Sequence, residues 1–320
     1  MLKTKYLLVA AGLLALGTAT PLRAEDTPPL EVQIVDVMNK LFGVHAGYRA
    51  NHAKGIVAEG TFKASSEAAT LSKAALFNGS EVPVTVRFSD PTGVPTIPDG
   101  APNANPHGFA IKYHVPGAGD TDMAMISLHY FPVATGEEFL GLLTAFATKQ
   151  ADAFIKDHPN VPKASATAAT PDSFADEEYF GINAFVFVDK AGHKQAVRYI
   201  MEPEKLVHLS VEEAGKQAPN FLMEDLPKRV GAKPVVFHLK AQLAGPTDQT
   251  KDGSRPWPET NKVVDLGVLT IDKMVPNSAE AEKALLFLPN ALIDGIEESD
   301  DPLIDVRSAA YAVSYSRRSQ

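Results

Sequence analysis

Residues 301–318 read Asp-Pro-Leu-Ile-Asp-Val-Arg-Ser-Ala-Ala-Tyr-Ala-Val-Ser-Tyr-Ser-Arg-Arg. Asp301 before Pro302 is a helix start: a capping carboxylate, then the residue that tolerates the first helical position. No residue after Pro302 breaks a helix. On that helix Arg307, Tyr311, Ser314 and Arg318 share one face. The phenol therefore has a guanidinium on the turn before it and another further along. A cation that close favours the phenolate. A phenolate on a rigid helix is a hard anionic ligand for ferric iron, and tyrosine is one of the proximal ligands of haem. The second arginine suits an anionic group such as a haem propionate. Arg and Tyr at helical spacing more often form a packed or solvated face, so this chemistry needs support from elsewhere in the chain.

The chain of 320 residues is 45% hydrophobic and has no long apolar run beyond its N-terminus. That is material for one large domain or two ordinary ones. Lys3 and Lys5 precede the apolar run from Tyr6 to Leu16, and small residues follow. A basic start, a short apolar core and small residues make a secretory signal over 1–24, with cleavage after Ala24 or after Ala19. The apolar run is short for a bilayer span, which argues against a retained anchor. The expected product is an exported, periplasmic, soluble domain over 25–320. The formal net charge is −9, and loss of three cations with the signal makes it −12. So acidic a surface argues against nucleic acid and against stable association with an anionic membrane. There is no cysteine, which excludes disulfides, thiolate catalysis and cysteine-bound metal or haem.

Leu30 to Phe42 carries Leu30, Ile34, Val37 and Leu41 on one face and stops at Gly43, a helix. Ile56 to Phe62, Val82 to Phe88, Gly108 to Val115 and Met123 to Phe131 then read as strands between Gly/Pro/Asn-rich turns. The connection from Asp90 to Pro106 is long enough to be functional. Thr135 with Glu138 is a capping box, and the helix after it is expected to run to His158, before Pro159. Val161 to Ser173 reads as a surface connection. Strand patterns resume at Ile182 to Val188, Gln195 to Ile200, Val235 to Leu243 and Val263 to Ile271, with a helix expected over Val211 to Leu226. Strands and helices do not alternate as βαβ units. The fold class is therefore α+β, an antiparallel barrel with flanking helices and no clear domain boundary. There is no internal repeat, P-loop or dinucleotide fingerprint.

Two further stretches could carry chemistry. His52 follows Arg49 and Asn51 just before the first strand, and could be a general base or an ordinary histidine at a strand end. In Val86–Arg87–Phe88–Ser89, Arg87 and Ser89 point to one face. An inward arginine needs an anionic partner; otherwise Arg87 faces water.

Arg49–Asn51–His52–Ala53–Lys54–Gly55, then Val86–Arg87–Phe88–Ser89, then His107–Gly108–Phe109–Ala110–Ile111–Lys112–Tyr113, then Arg307 to Tyr311, resemble the haem catalase family in order and spacing. Gly181–Ile182–Asn183–Ala184–Phe185 and Gly295–Ile296–Glu297 resemble it too. The resemblance spans roughly residues 40 to 318. A short exported chain of this kind is similar to the catalase-related peroxidases. The resemblance implies a catalase-like antiparallel barrel with haem held between the barrel and the C-terminal helix. It implies Tyr311 as the iron ligand, with Arg307 keeping its oxygen ionised. It implies His52 as the distal acid–base group, oriented by Ser89, and Arg49, Arg87 and Arg318 as partners of the propionates.

In one respect the chain departs from that family. Where catalases place a distal Asn, the run Asp122 to Pro132 puts Ile126; a shift of one residue would offer Ser127 and turn His129 to the same face. Isoleucine donates no hydrogen bond to peroxide. The expected activity is thus a haem-dependent peroxidase that reduces hydrogen peroxide or organic hydroperoxides with a small organic reductant, and a weak catalase. The alternatives are a catalase-fold enzyme converting lipid hydroperoxides, a haem or apolar-ligand carrier without turnover, and a secreted barrel with no cofactor. Homo-oligomerisation is left open.

Overall fold

The computed structural model describes residues 27–319, and the secretory signal expected at 1–24 lies outside them. Eight antiparallel strands close into a barrel in simple chain order. They are β1 (Gly55–Ala64), β2 (Glu81–Ser89), β3 (Gly108–Val115), β4 (Gly119–Ile126), β5 (Tyr179–Phe180), β6 (Lys194–Pro203), β7 (Val235–Leu243) and β8 (Val263–Met274). Each pairs with its successor, and β8 pairs with β1 to close the ring. The weakest seam joins β4 to β5 through the single rung Ile126 with Phe180. Short strands Phe185–Val188 and Ile296–Glu298 extend the sheet from β6. The architecture is α+β, as the strand pattern implied.

Period-two alternation places the core. Val82, Val84, Val86 and Phe88 of β2 point inward, as do Phe109 and Ile111 of β3. Phe88 stacks on Phe109 at 4.3 Å between centroids, and Phe174, Tyr179 and Phe237 pack around the pair. The opposite face of β2 and β3 carries Arg87, Ser89, Gly108 and Ala110, and it is this outer face that meets the helices.

Helix α1 (Leu30–Phe42) has the expected bounds and is closed by Gly43 at φ 84°. It packs on α2 (Gly136–Ala147) and on the C-terminal helix. The helix expected to run on to His158 is broken: Lys149 adopts φ 58°, and a separate turn of helix spans Ala151–Asp157. Thr135 Oγ1 accepts from Glu138 N at 3.2 Å, but the Glu138 carboxylate accepts from Ala134 N and not from Thr135, so the box is offset by one residue. The helix expected over Val211 to Leu226 is also two pieces, Val211–Ala214 and α3 (Phe221–Ala232). Asp99, from the long loop after β2, caps α3 by accepting from Leu222 N at 2.7 Å. A short helix α4 (Ser278–Ala284) precedes the last one, α5 (Leu303–Arg318). Asp301 caps α5 as expected, accepting from Leu303 N at 2.9 Å. The strand expected over Met123 to Phe131 ends at Ile126, after which the chain turns away toward Gly253.

The Phe88–Phe109 stack sits at the centre of the barrel, so Phe88→Ala should cost about 3–5 kcal/mol. Chemical denaturation of both proteins checks this; a loss below about 1 kcal/mol would place the ring outside the packed core.

Candidate active site

The outer faces of β2, β3 and β4 form a low wall. Arg87 lies across from Ala110 and Ser89 from Gly108; those in turn oppose Ala124 and Ile126. Small residues at Gly108, Ala110 and Ala124 let a flat body approach the sheet. Helix α5 stands opposite, presenting Arg307, Ala310, Tyr311, Ser314 and Arg318. Apolar groups of α1 and α2, including Ile34, Met38 and Phe139, close the sides. The cleft between them encloses about 1250 Å³, part of it open to solvent. Of the side chains singled out from the sequence, Arg49, His52, Arg87, Ser89, Arg307, Tyr311 and Arg318 line it.

His52 is held from both sides. Its backbone takes φ 55°, a left-handed conformation uncommon outside glycine. Ala53 N donates to Thr92 O at 2.9 Å, and Asp90 N donates to Lys54 O at 3.0 Å, which pins the segment to the long loop. Arg87 Nη2 donates to the His52 carbonyl at 2.8 Å. The ring lies with Nδ1 3.1 Å from Ser89 Oγ. Gly108 makes that position possible: a Cβ there would fall 2.7 Å from Ser89 Oγ and 2.9 Å from His52 Nδ1. Burial, reinforced by the charges of Arg87 and Arg49, pushes the imidazole pKa down to about 3. The ring is thus neutral at ordinary pH.

Tyr311 has a different environment. Arg307 Nε donates to its Oη at 3.2 Å and Nη2 donates to Ala124 O at 3.2 Å. Arg307 also donates to Asn183 Oδ1, and Asn183 Nδ2 donates to Asp301 Oδ2 at 2.8 Å. The guanidinium is therefore fixed on the phenol oxygen by a chain of hydrogen bonds that ends on the carboxylate capping α5.

The remaining arginines gather at one end of the cleft. Arg49 Nη2 donates to Leu285 O at 2.9 Å and Arg318 Nη2 to the same oxygen at 2.6 Å. Burial and the neighbouring Arg87 and Arg318 lower the Arg49 pKa, and burial takes that of Arg318 down to about 10. Arg318 Nε is buried and has no partner among the described residues. Arg87 departs from the simplest expectation. Its Nε and Nη2 donate to Glu282 Oε2 at 2.9 and 2.7 Å, leaving Nη1 for any ligand. Gly55 makes room for this guanidinium, since a Cβ there would lie 2.2 Å from Nη2. Among the described residues, no carboxylate lines the cleft itself.

Sequence reasoning missed Glu282 and gave Asn183 no role. Glu282 lies in a segment of Ala, Glu and Lys that reads as a solvated helix, and nothing local marks it. The register question at Ile126 has a clear outcome. Ile126 faces the cleft, while Ser127 turns away and accepts from His107 N at 2.9 Å. His129 packs on Phe180 at 4.4 Å and does not line the cleft.

These residues fit a flat, mostly apolar ligand with a metal at its centre and carboxylates on one edge. The unpartnered Arg318 Nε and the crowded guanidinium charges ask for an anion there. A family model described as Catalase matches residues 30–319. The chain belongs to the catalase family. It is 32% identical over 301 residues to a protein named catalase-related peroxidase from Synechococcus elongatus, covering 90% of this chain and 88% of that one. It is 33% identical over 296 residues to another of that name from Mycolicibacterium paratuberculosis, covering 89% of this chain and 94% of that one. The structure of a bacterial catalase superposes with a TM-score of 0.77 at 21% identity, covering 86% of this chain. This chain spans only 58% of that larger protein's length.

Gly108→Ala should drive the imidazole off Ser89, because the added methyl meets both groups. A crystal structure of the variant checks this; an intact Ser89–His52 contact would show that the neighbours yield instead.

Proposed function

We propose that this protein is an exported haem-dependent peroxidase that reduces hydrogen peroxide or organic hydroperoxides with a small organic donor. One observation carries the reading: His52 and Tyr311, from opposite ends of the chain, line the same cleft. Tyr311 would hold the iron through its phenolate, with Arg307 donating to that oxygen. Arg49 and Arg318 would bind the carboxylates of the porphyrin, with Arg87 behind them. Haem, when bound, supplies the iron that takes up peroxide and stores its oxidising equivalents. Export to the periplasm rests on the signal pattern at 1–24.

The protein's own part is proton handling in a dry site. Neutral His52 has a free ring nitrogen when Nδ1 carries the proton and donates to Ser89 Oγ. That tautomer leaves Nε2 to accept the proton from the oxygen of peroxide that becomes bound. The imidazolium then returns it to the departing oxygen, so an alcohol or water leaves and not an anion. Apolar walls and the positive charges nearby make the imidazolium short-lived, which favours the return. Ile126 provides no donor to orient a second peroxide as reductant. An organic donor, which need only pass an electron, is less demanding. Peroxidase turnover should therefore exceed oxygen release.

Purified protein should show a Soret band, and His52→Ala should slow its reaction with peroxide about 10²–10⁴-fold at unchanged haem content. A rate within a few-fold of the parent would remove His52 from the acid–base role. Oxygen evolution measured beside oxidation of a phenolic donor tests the second part; oxygen release as the dominant reaction would overturn it. The pH dependence has a definite sign. With the imidazole pKa lowered to about 3, His52 stays a competent base as pH falls and is lost only when it protonates. The rate of the peroxide step should stay flat on the acid side and fall only as pH approaches about 3. An acid limb at the ordinary histidine pKa of about 6.5 would show that His52 is not held neutral.

A further inference from the structure

Glu282 takes no part in the chemistry above, yet one of its oxygens has three donors on it. Arg87 Nε and Nη2 reach Oε2 at 2.9 and 2.7 Å, and Arg49 Nη1 reaches the same atom at 3.1 Å. The carboxylate is about as buried as the guanidinium groups, with 11% of its side chain exposed against 4% for Arg87 and 14% for Arg49. Charge-assisted bonds in such surroundings are strong and directional. Arg87 Nη2 is shared: the nitrogen that donates to Glu282 also donates to the His52 carbonyl. That carbonyl belongs to the residue held at φ 55°, a conformation that persists only when its surroundings impose it.

We propose that Glu282 is a positioning residue for the distal histidine. Through Arg87 it fixes the backbone of His52 and so the direction in which the imidazole presents its free nitrogen. The same oxygen ties Arg87 to Arg49, and Arg49 shares the Leu285 carbonyl with Arg318. The carboxylate-binding end of the cleft and the distal base are thus parts of one ion cluster. The formal charge of Arg49, Arg87 and Arg318 against Glu282 leaves two positive charges, which matches a flat ligand bearing two carboxylates. Remove the charge of Glu282, and Arg87 keeps its burial but loses its partner. It then turns toward whatever anion occupies the cleft and releases the His52 carbonyl. This role rests on the haem reading of the cleft.

The experiment uses haem-loaded protein and cyanide association, which is a binding measurement and not turnover. Hydrogen cyanide must give up its proton to bind as the anion, so its on-rate reports the reach of the distal base. Glu282→Gln keeps the shape and removes the charge. Its cyanide on-rate should fall about 10- to 100-fold, the range for loss of a supporting partner at a metal site. Glu282→Asp, which restores the charge, should recover most of that loss. A merely structural tie would lower the unfolding midpoint and leave the cyanide on-rate where it was, and that result would overturn the proposal. If the Gln variant does not take up haem, the crystal structure of the loaded parent decides. Glu282 Oε2 between Arg49 and Arg87, with Arg87 on the His52 carbonyl, supports the assignment; Glu282 withdrawn from both guanidiniums overturns it. Parent protein that binds no haem at all would instead defeat the haem reading, a separate result.

Discussion

Four guanidinium groups border one apolar cleft, and none of them can remain there uncompensated. Like charges in a low dielectric repel strongly, and each buried cation needs an acceptor. The fold answers differently for each group. Arg307 is spent on the phenol oxygen of Tyr311 and on Asn183. Arg87 is held by Glu282 and the His52 carbonyl. Arg49 and Arg318 lean on the carbonyl of Leu285, and the buried Arg318 Nε has no partner among the described residues. What the protein leaves unpaired lies at the end of the cleft where Arg49 and Arg318 meet. The preference for an anionic edge on the ligand follows from this accounting of charge and not from any single residue.

The wall that carries Arg87 and faces α5 depends on what is missing. Gly55 makes room for the Arg87 guanidinium, and Gly108 for the His52 ring and Ser89 hydroxyl. Ala110 and Ala124 keep the floor low between them. The bulky residues of the same strands, Phe88 and Phe109 among them, are turned into the barrel. A sheet that alternates in this way supplies a rigid core on one side and a shallow seat on the other. Both follow from one period-two pattern.

Much of this was legible in the chain. The face of α5 could be read from spacing alone, because helical periodicity fixes which residues share a side whatever they pack against. Val235–Leu243 and Gly108–Val115 appear with the bounds their patterns gave. The failures have local causes. Nothing in the sequence announces that Lys149 will take a left-handed conformation and break a helix whose apolar pattern continues through Phe154. Beyond the strand, Leu128, Tyr130 and Phe131 continue a strand-like pattern, so hydrophobicity could not mark the bend after Ile126. Glu282 was hidden for a tertiary reason: its partners lie 195 and 233 residues away, and its own helix looks like a solvated surface.

The barrel strands follow one another around the ring, so most of its pairing can form as neighbours meet along the chain. The cleft is different. Its floor comes from β2 to β4, but its roof is α5, the last helix described. A flat ligand in the cleft therefore has no two-sided seat until α5 docks. On the haem reading, cofactor capture waits for that docking, and a chain lacking α5 would keep the floor of the cleft but have no phenolate to grip iron.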